Sequence, residues 1–141
     1  GNNMYVFPPI GLGAVLCKPT HISDTMIYAV SKALANSLAS EERELGELYP
    51  RIERIRQVAA ELAAAFIHQA VKEDVAKSDK WIQLASASPA STADAESPDG
   101  LFSAAMLDEV KRFMWEPAET FEQLRACCPH NHHHPAAAAH E

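Results

Sequence analysis

Two adjacent asparagines near the start of the chain have the chemistry and the setting of a small-molecule binding pair. Asn2 and Asn3 come immediately before an apolar run that contains proline and glycine. A primary amide offers two N–H donors and one acceptor, which suits the carboxylate and hydroxyl of a hydroxy acid, or a carboxamide. On the residues alone, a turn built on the asparagine pair is the favoured interpretation, and ligand binding is the alternative.

Gly11 and Gly13 raise the question of a dinucleotide site. The fingerprint of such a site needs a third glycine three residues after the second, between a strand and a helix. Position 16 is leucine, so the fingerprint is incomplete. The pattern favours glycines that let a buried helix pack closely against its neighbours.

The end of the chain is rich in thiol and imidazole groups, which are zinc ligands in many proteins. These residues are Cys127, Cys128, His130, His132, His133 and His134. A structural zinc site needs spaced ligand pairs on a folded scaffold, whereas these ligands crowd together beside an alanine run. We expect adventitious metal binding at most, and no functional metal site.

The remaining acid–base and thiol groups are isolated in the sequence. His21 and His68 fit surface or capping roles, Lys18 fits a surface lysine that covers apolar area with its stem, and Tyr5 fits aromatic packing. Cys17 and the two cysteines near the end make an odd count without framework spacing. They indicate free thiols in a reducing, intracellular compartment.

The bulk composition limits the fold and the partners. A chain of 141 residues is long enough for one modest domain, and although 48% of it is hydrophobic, alanine supplies much of that share. We therefore expect apolar faces that need a partner surface. The net charge of −7 argues against a nucleic-acid partner, and no apolar run is long enough to predict a membrane span.

Hydrophobic periodicity predicts a mostly α-helical chain. A first helix should start at Pro8 or Pro9 and, being apolar on every side, should be buried in this chain or against sequence outside it. The longest helix is predicted over residues 51–76. A strand is conceivable only over residues 4–7.

Between those two helices, Ser23 has the sequence context of an N-cap for a second helix that ends near Ala39. Its apolar stripe is predicted at Ile27, Val30, Leu34 and Leu38, and that of the longest helix at Ile52, Ile55, Ala59, Leu62 and Phe66. The predicted organisation is a helical segment at 1–77, a disordered linker at 78–100, a C-terminal helical segment at 101–125 and a disordered tail at 126–141.

Several separated motifs resemble those of malic enzymes, in the family's order. They are Gly1-Asn2-Asn3-Met4-Tyr5-Val6-Phe7-Pro8, Gly11-Leu12-Gly13, His21-Ile22-Ser23-Asp24, Leu48-Tyr49-Pro50 with Ile55 and Val58, and Met114-Trp115-Glu116-Pro117. The resemblance covers residues 1–76 closely and 107–124 more loosely. It implies the helical C-terminal part of an α/β enzyme, where a Rossmann-type cofactor domain passes into catalytic-domain helices.

The resemblance also implies a chemistry. Malic enzymes convert L-malate to pyruvate and CO2 while reducing NAD or NADP, with Mg or Mn bound. A lysine takes the hydroxyl proton, hydride passes to the nicotinamide, the metal stabilises the enolate and a tyrosine protonates it. By resemblance, substrate contact is assigned to Asn2 and Asn3 alone. A homo-oligomer is implied for the complete enzyme, in a mitochondrial or cytosolic location.

The chain departs from the family pattern at Pro9, in a Ser/Ala/Pro stretch longer than the family's and in a Cys/His tail without a counterpart, and it lacks the family's catalytic residues. Pro9 stands where the family usually has glycine, and this could distort the start of the first helix. The family's catalytic lysine and tyrosine, its metal-binding acids and its nucleotide turn cannot be mapped onto this chain. We therefore expect the chain alone neither to oxidise malate nor to bind the cofactor tightly.

Two other interpretations fit the sequence. A free-standing helical module could use its apolar stripes to bind a protein partner. A malolactic relative would share the asparagine and Phe-Pro motif but yield lactate.

Overall fold

The computed structural model describes residues 3–86 and 102–115. A 3-10 turn at Asn3–Tyr5 is followed by helices α1 (Phe7–Cys17), α2 (Asp24–Asn36) and α3 (Ser40–Glu44). A second 3-10 turn (Ile52–Arg54) leads into α4 (Ile55–Lys72), and α5 (Asp79–Ser86) and α6 (Ala104–Phe113) follow. Over these two ranges every regular element is helical, which confirms the predicted mostly α-helical fold.

Helix α4 is the centre of the fold, because α1, α2, α5 and α6 all pack against it. It is buried on several sides, and the small side chains of Ala60, Ala63, Ala64 and Ala65 let its neighbours approach closely. Alanine also has the highest intrinsic helix propensity, so the same residues favour the helix itself.

Helix α2 begins as the sequence predicts. The side chain of Ser23 accepts a hydrogen bond from the backbone N–H of Met26 at 3.2 Å, and Asp24 lies in the first turn, where the helix dipole favours an acid. The buried face consists of Met26, Ala29, Val30 and Ala33. The predicted stripe is therefore wrong at Ile27, which is 40% exposed.

Helix α3 is held to the start of α4 by one buried carboxylate. Glu42 accepts hydrogen bonds from the backbone N–H of Ala39 at 2.7 Å and of Arg51 at 2.9 Å. Its third partner is the Arg54 guanidinium, at 2.7 Å, which also donates to the Ser37 carbonyl at 3.0 Å. The Glu42 carboxylate therefore connects helix α3 to the residue before it, Ala39, and to Arg51 and Arg54 at the start of α4.

Helices α5 and α6 belong to the same core as α1, α2 and α4. Trp81, Phe102, Met106 and Val110 are buried in it, and Lys80 of α5 forms an ion pair of 2.5 Å with Glu109 of α6. The predicted disordered linker at 78–100 is therefore wrong at its start, because Asp79–Ser86 is a helix. The rest of that linker (87–100), the end of the predicted C-terminal helical segment (116–125) and the predicted tail (126–141) lie outside the described residues.

The structure corrects two further predictions. The conceivable strand at residues 4–7 is instead the 3-10 turn and the first residue of α1. Ile52, predicted on the stripe of the longest helix, lies in a 3-10 turn before α4 and is 58% exposed. Leu62 and Phe66 of that stripe are fully buried. Among the described residues, none of the helices has the length and apolar character needed to cross a membrane.

Candidate functional site

The asparagine pair lies at the edge of the fold, where the described chain begins. Asn3 is exposed, and its carbonyl accepts a hydrogen bond from the Val6 N–H at 3.1 Å, which closes the 3-10 turn. Asn2 lies outside the described residues. The Asn3 amide can therefore meet a ligand from outside the core while its backbone is held in a turn.

Tyr5 fixes this turn to the rest of the molecule. Its buried hydroxyl donates a hydrogen bond of 2.6 Å to the carbonyl of Pro50. Its ring stacks on Tyr49, with the centroids 5.7 Å apart and the planes 19° apart. The predicted aromatic packing role is confirmed, and the hydrogen bond sets the position of Asn3 relative to the start of α4.

Helix α1 starts without distortion at the proline pair. Pro8 and Pro9 lie in its first turn, where a missing N–H leaves no intrahelical bond unmade. Ile10 is the first N–H to bond back, to the Val6 carbonyl at 3.2 Å. Pro9 is fully buried against the core.

The two glycines of α1 have different environments. A Cβ atom added at Gly13 would lie 2.6 Å from Cδ1 of Phe66, so this glycine allows α1 to approach α4. At Gly11 no described heavy atom outside its chain neighbours and its own helical backbone lies within 4 Å of the added Cβ. Both lie inside a helix rather than at a strand-to-helix turn, so they do not form the phosphate-binding loop of a dinucleotide site.

A second polar cluster joins the start of α2 to the end of α4. Glu73 accepts hydrogen bonds from the Ser23 hydroxyl at 2.6 Å, from the Thr25 hydroxyl and from the Gln69 amide at 2.7 Å. These bonds, that of Ser23 foremost, lower the pKa of Glu73. The Glu73 carboxylate already has three hydrogen-bond partners, so the role of this cluster is to hold the start of α2 against the end of α4.

Burial shifts the pKa of two groups that the sequence singles out. It raises the pKa of Cys17 to about 11, so the thiol is protonated near neutral pH and is a poor nucleophile. Burial, with a smaller contribution from the charge of Lys72, lowers the pKa of His68 and favours the neutral imidazole.

The other predicted positions are surface sites. His21 is exposed, and its Nδ1 lies 3.2 Å from the Thr20 hydroxyl. Lys18 is exposed and ends α1 in a left-handed conformation, with φ of 50°. Within residues 3–86 and 102–115 no three His, Cys, Asp or Glu side chains lie close enough to hold a metal ion. The Cys/His tail lies beyond those residues.

Sequence reasoning missed the two contacts that organise this edge of the fold. The Tyr5–Pro50 bond joins residues 45 positions apart, and the Ser23–Glu73 bond joins residues 50 apart. Neither distance has a periodic signature in a single sequence. The partial signal was a tyrosine in an otherwise apolar run, since a buried tyrosine hydroxyl generally needs an acceptor.

Comparison with known proteins gives consistent results. The family model described as "Malic enzyme, NAD binding domain" matches residues 1–71. The NAD-dependent malic enzyme 59 kDa isoform of Solanum tuberosum is 49% identical over 76 residues, which is 54% of this chain and 13% of the relative. The mitochondrial NAD-dependent malic enzyme of Amaranthus hypochondriacus is 38% identical over 117 residues, or 83% of this chain and 17% of the relative.

An NADP-linked relative also aligns. The NADP-dependent malic enzyme of Dictyostelium discoideum is 38% identical over 77 residues, or 55% of this chain and 14% of the relative. The chain spans no more than about a sixth of the length of these relatives. The comparisons give no support to the alternative of a free-standing interaction module. Since the family model covers half of the chain and runs through the asparagine pair, α1, α2 and most of α4, this chain belongs to the malic enzyme family.

Proposed function

We propose that this chain is a C-terminal segment of a malic enzyme and contributes one wall of the malate site through Asn2 and Asn3. The complete enzyme would convert L-malate to pyruvate and CO2 with NAD or NADP. The observation that carries the proposal is the exposed Asn3 amide at the start of a turn that Tyr5 anchors to Pro50. The family match at the same residues supports it.

The anchoring of the turn matters for binding a small acid. A residue whose backbone is already held in a turn loses less conformational freedom when its side-chain amide donates to a carboxylate, so more of the interaction energy appears as affinity. A donor to a charged carboxylate also forms a stronger bond than a donor to a neutral group. Asn3 would therefore orient the substrate, and no proton-transfer role is assigned to it.

The cofactor and the metal of the family do not fit the described residues. The glycines of α1 lie inside the helix, and the described part of the chain offers no set of three metal-ligating side chains. The NAD or NADP contacts and the Mg or Mn ligands are therefore proposed to come from other parts of the complete polypeptide. Homo-oligomeric assembly and an intracellular location are proposed because the chain belongs to the malic enzyme family.

The test uses a chimera. In the Solanum tuberosum relative, the 76-residue aligned segment is exchanged for the matching residues of this chain. Asn2→Ala and Asn3→Ala are each expected to raise the KM for malate about 10- to 100-fold, the loss of one bond to a charged group at roughly 1.5–3 kcal/mol. The KM for NAD should change much less.

A control and an isosteric variant sharpen the test. Asn36→Ala removes an amide at the end of α2 and should leave the KM for malate unchanged. Asn3→Asp keeps the shape but replaces the donor with a negative charge, so it should weaken malate binding at least as much as Asn3→Ala. An unaltered KM in both asparagine variants would contradict the proposal.

A further inference from the structure

One peptide group lies between the turn that presents Asn3 and the end of helix α3. Its carbonyl, that of Pro50, accepts the 2.6 Å hydrogen bond from the Tyr5 hydroxyl. Its N–H, that of Arg51, donates a 2.9 Å hydrogen bond to the Glu42 carboxylate. A peptide group is planar and almost always trans, so its C=O and N–H point in opposite directions and fixing one direction fixes the other. The Glu42 carboxylate therefore sets the direction of the acceptor that Tyr5 binds.

The bond between Glu42 and this peptide group belongs to a strong class. A backbone N–H forms a shorter and stronger hydrogen bond with a carboxylate than with a neutral acceptor. Glu42 is only 2% exposed, so little water reaches its oxygens. The Arg51 N–H also makes the largest contribution to lowering the pKa of Glu42, which favours the charged carboxylate at neutral pH. Because hydrogen bonds in a chain polarise one another, the carbonyl of the same peptide group becomes a better acceptor for Tyr5.

The segment that carries Pro50 has little apolar packing besides the buried proline itself. Its large hydrophobic side chains before the proline are between 42% and 85% exposed: Leu45, Leu48 and Tyr49. An ion pair joins Arg51 to Glu47 at 3.5 Å, but both side chains are partly exposed, and such pairs contribute little. The position of the Pro50 carbonyl therefore depends strongly on the bond to Glu42.

Tyr5 connects that carbonyl to the Asn3 amide. The Tyr5 ring also stacks on Tyr49, the residue before Pro50, so two contacts of one side chain meet the same segment. Asn3 and Tyr5 belong to one 3-10 turn, which the Val6 N–H closes on the Asn3 carbonyl. A shift of the Pro50 carbonyl would therefore move the turn, and with it the Asn3 amide.

We propose that Glu42 is a positioning residue for the malate site, acting on Asn3 through the Pro50–Arg51 peptide group and Tyr5. This inference rests on the proposed function, because Glu42 can affect malate binding by this path only if Asn3 contacts the substrate. No contact with malate and no proton transfer is assigned to Glu42. A purely structural role predicts a loss of stability alone, so the KM for malate distinguishes the two roles.

The test measures the KM for malate in the chimera with the Solanum tuberosum relative. Glu42→Gln keeps the shape of the side chain and removes its charge, so it weakens the bond to the Arg51 N–H. The KM for malate should rise about 3- to 10-fold, the usual net contribution of one hydrogen bond. The KM for NAD should stay close to that of the parent chimera. Tyr5→Phe removes the next bond of the path and should raise the KM for malate by a similar factor.

A double variant tests whether the two residues act through the same path. Substitutions that act independently multiply their effects on KM, whereas substitutions that act through one shared group do not. Glu42→Gln combined with Tyr5→Phe should therefore raise the KM for malate no further than the larger of the two single effects. In a chimera that already carries Asn3→Ala, Glu42→Gln should add no further increase.

Two variants serve as controls. Glu44→Gln removes a charge from an exposed position on the same helix as Glu42. Ser23→Ala removes the cap of α2, so it lowers stability at a different place without changing the path to Asn3. Both should leave the KM for malate unchanged. A KM raised by Ser23→Ala as much as by Glu42→Gln would overturn the proposal, because the increase would then reflect a general loss of stability.

Other results would also overturn the proposal. A folded Glu42→Gln chimera with the parent's KM for malate would show that the path does not reach the substrate, and multiplied effects in the double variant would show two separate routes. If Glu42→Gln does not fold, Tyr5→Phe decides the question, because it keeps the buried ring. An unchanged KM for malate in that variant would then overturn the proposal.

The asparagine variants separate this inference from the proposed function. A KM for malate that rises in Asn3→Ala but not in Glu42→Gln would overturn the role of Glu42 and leave the proposed function standing. A KM for malate that neither Asn2→Ala nor Asn3→Ala alters would overturn both.

Discussion

At the scale of single residues, a hydroxyl and a carboxylate hold together segments that are distant along the chain. The Tyr5 hydroxyl reaches the Pro50 carbonyl, and the Glu42 carboxylate reaches the backbone of residues 39 and 51 and the side chain of Arg54. The sequence shows that Tyr5 and Glu42 can form hydrogen bonds, but it does not identify their partners, because long-range polar contacts leave no periodic pattern. The turn that presents Asn3 depends on the first of these contacts.

Tyr5→Phe tests how strongly this turn is held. Removing the hydroxyl leaves the Pro50 carbonyl without this donor in a buried setting, so the free energy of unfolding should fall by about 1–3 kcal/mol. Urea denaturation of the 141-residue chain measures the effect. Tyr28→Phe is the matched control, because Tyr28 is 69% exposed. Equal unfolding free energies for the two variants would contradict a structural role of the bond.

Glu42 makes the stability of the fold depend on pH. Its pKa is lowered, first by the hydrogen bond from the Arg51 backbone, then by that from the Ala39 backbone, with Arg54 adding to them. A group whose pKa is lowered on folding stabilises the folded state above the ordinary glutamate pKa. That contribution disappears as the pH falls through the lowered value.

Glu42→Gln should therefore destabilise the chain most near pH 7, and its unfolding free energy should converge on that of the parent as the pH falls through the lowered pKa of Glu42. Denaturation curves across this pH range measure the difference. Glu44→Gln, on the same helix but exposed, serves as the control. A difference between Glu42→Gln and the parent that stays constant with pH would show that the charge of Glu42 plays no part.

At the scale of elements, local signals predicted where helices begin better than which faces they bury. The serine cap of α2 and the proline start of α1 were both predictable, because each depends on residues within one turn. The stripes were less accurate, since Ile27 and Ile52 are exposed. Alanine-rich α4 is packed on several sides, so its neighbours bury small residues that a stripe of large side chains does not identify.

Ser23→Ala should cost about 0.5–2 kcal/mol in unfolding free energy, because it removes the cap of α2 together with one of the partners of Glu73. Ser31→Ala is the comparison within the same helix. The Ser31 hydroxyl is exposed and bonds only to the carbonyl one turn earlier, so its loss should have little effect. Circular dichroism should be used to monitor the thermal unfolding of both variants. A larger loss of stability in Ser23→Ala than in Ser31→Ala would separate the capping effect from the general effect of losing a hydroxyl.

At the scale of the whole molecule, the division of the chain at residue 77 does not follow the packing. Trp81 of α5 is only 2% exposed, and it packs in the same core as α4 and α6. Its ring also lies 6.2 Å from that of Phe113. The change toward Ser, Ala and Pro that suggests a linker begins only after this tryptophan, so the predicted linker begins too early in the sequence.

Trp81→Ala should lower the free energy of unfolding by about 3–5 kcal/mol, the usual cost of removing a large buried aromatic side chain. Gln83→Ala, on an exposed position of the same helix, should change it by less than about 0.5 kcal/mol. Unfolding should remain a single transition for the control, when followed by far-ultraviolet circular dichroism. A Trp81→Ala chain as stable as Gln83→Ala would mean that α5 is not part of the core.

Five buried alanines of α4 restrict which side chains this segment accepts. Ala60, Ala63, Ala64, Ala65 and Ala70 are at most 2% exposed, so a larger side chain at any of them would have to displace its neighbours. Selection from a randomised library should recover only the smallest amino acids there, and any larger replacement should require a compensating reduction on a neighbouring helix. The spacing between the helices of this chain therefore depends on the smallest side chains of α4.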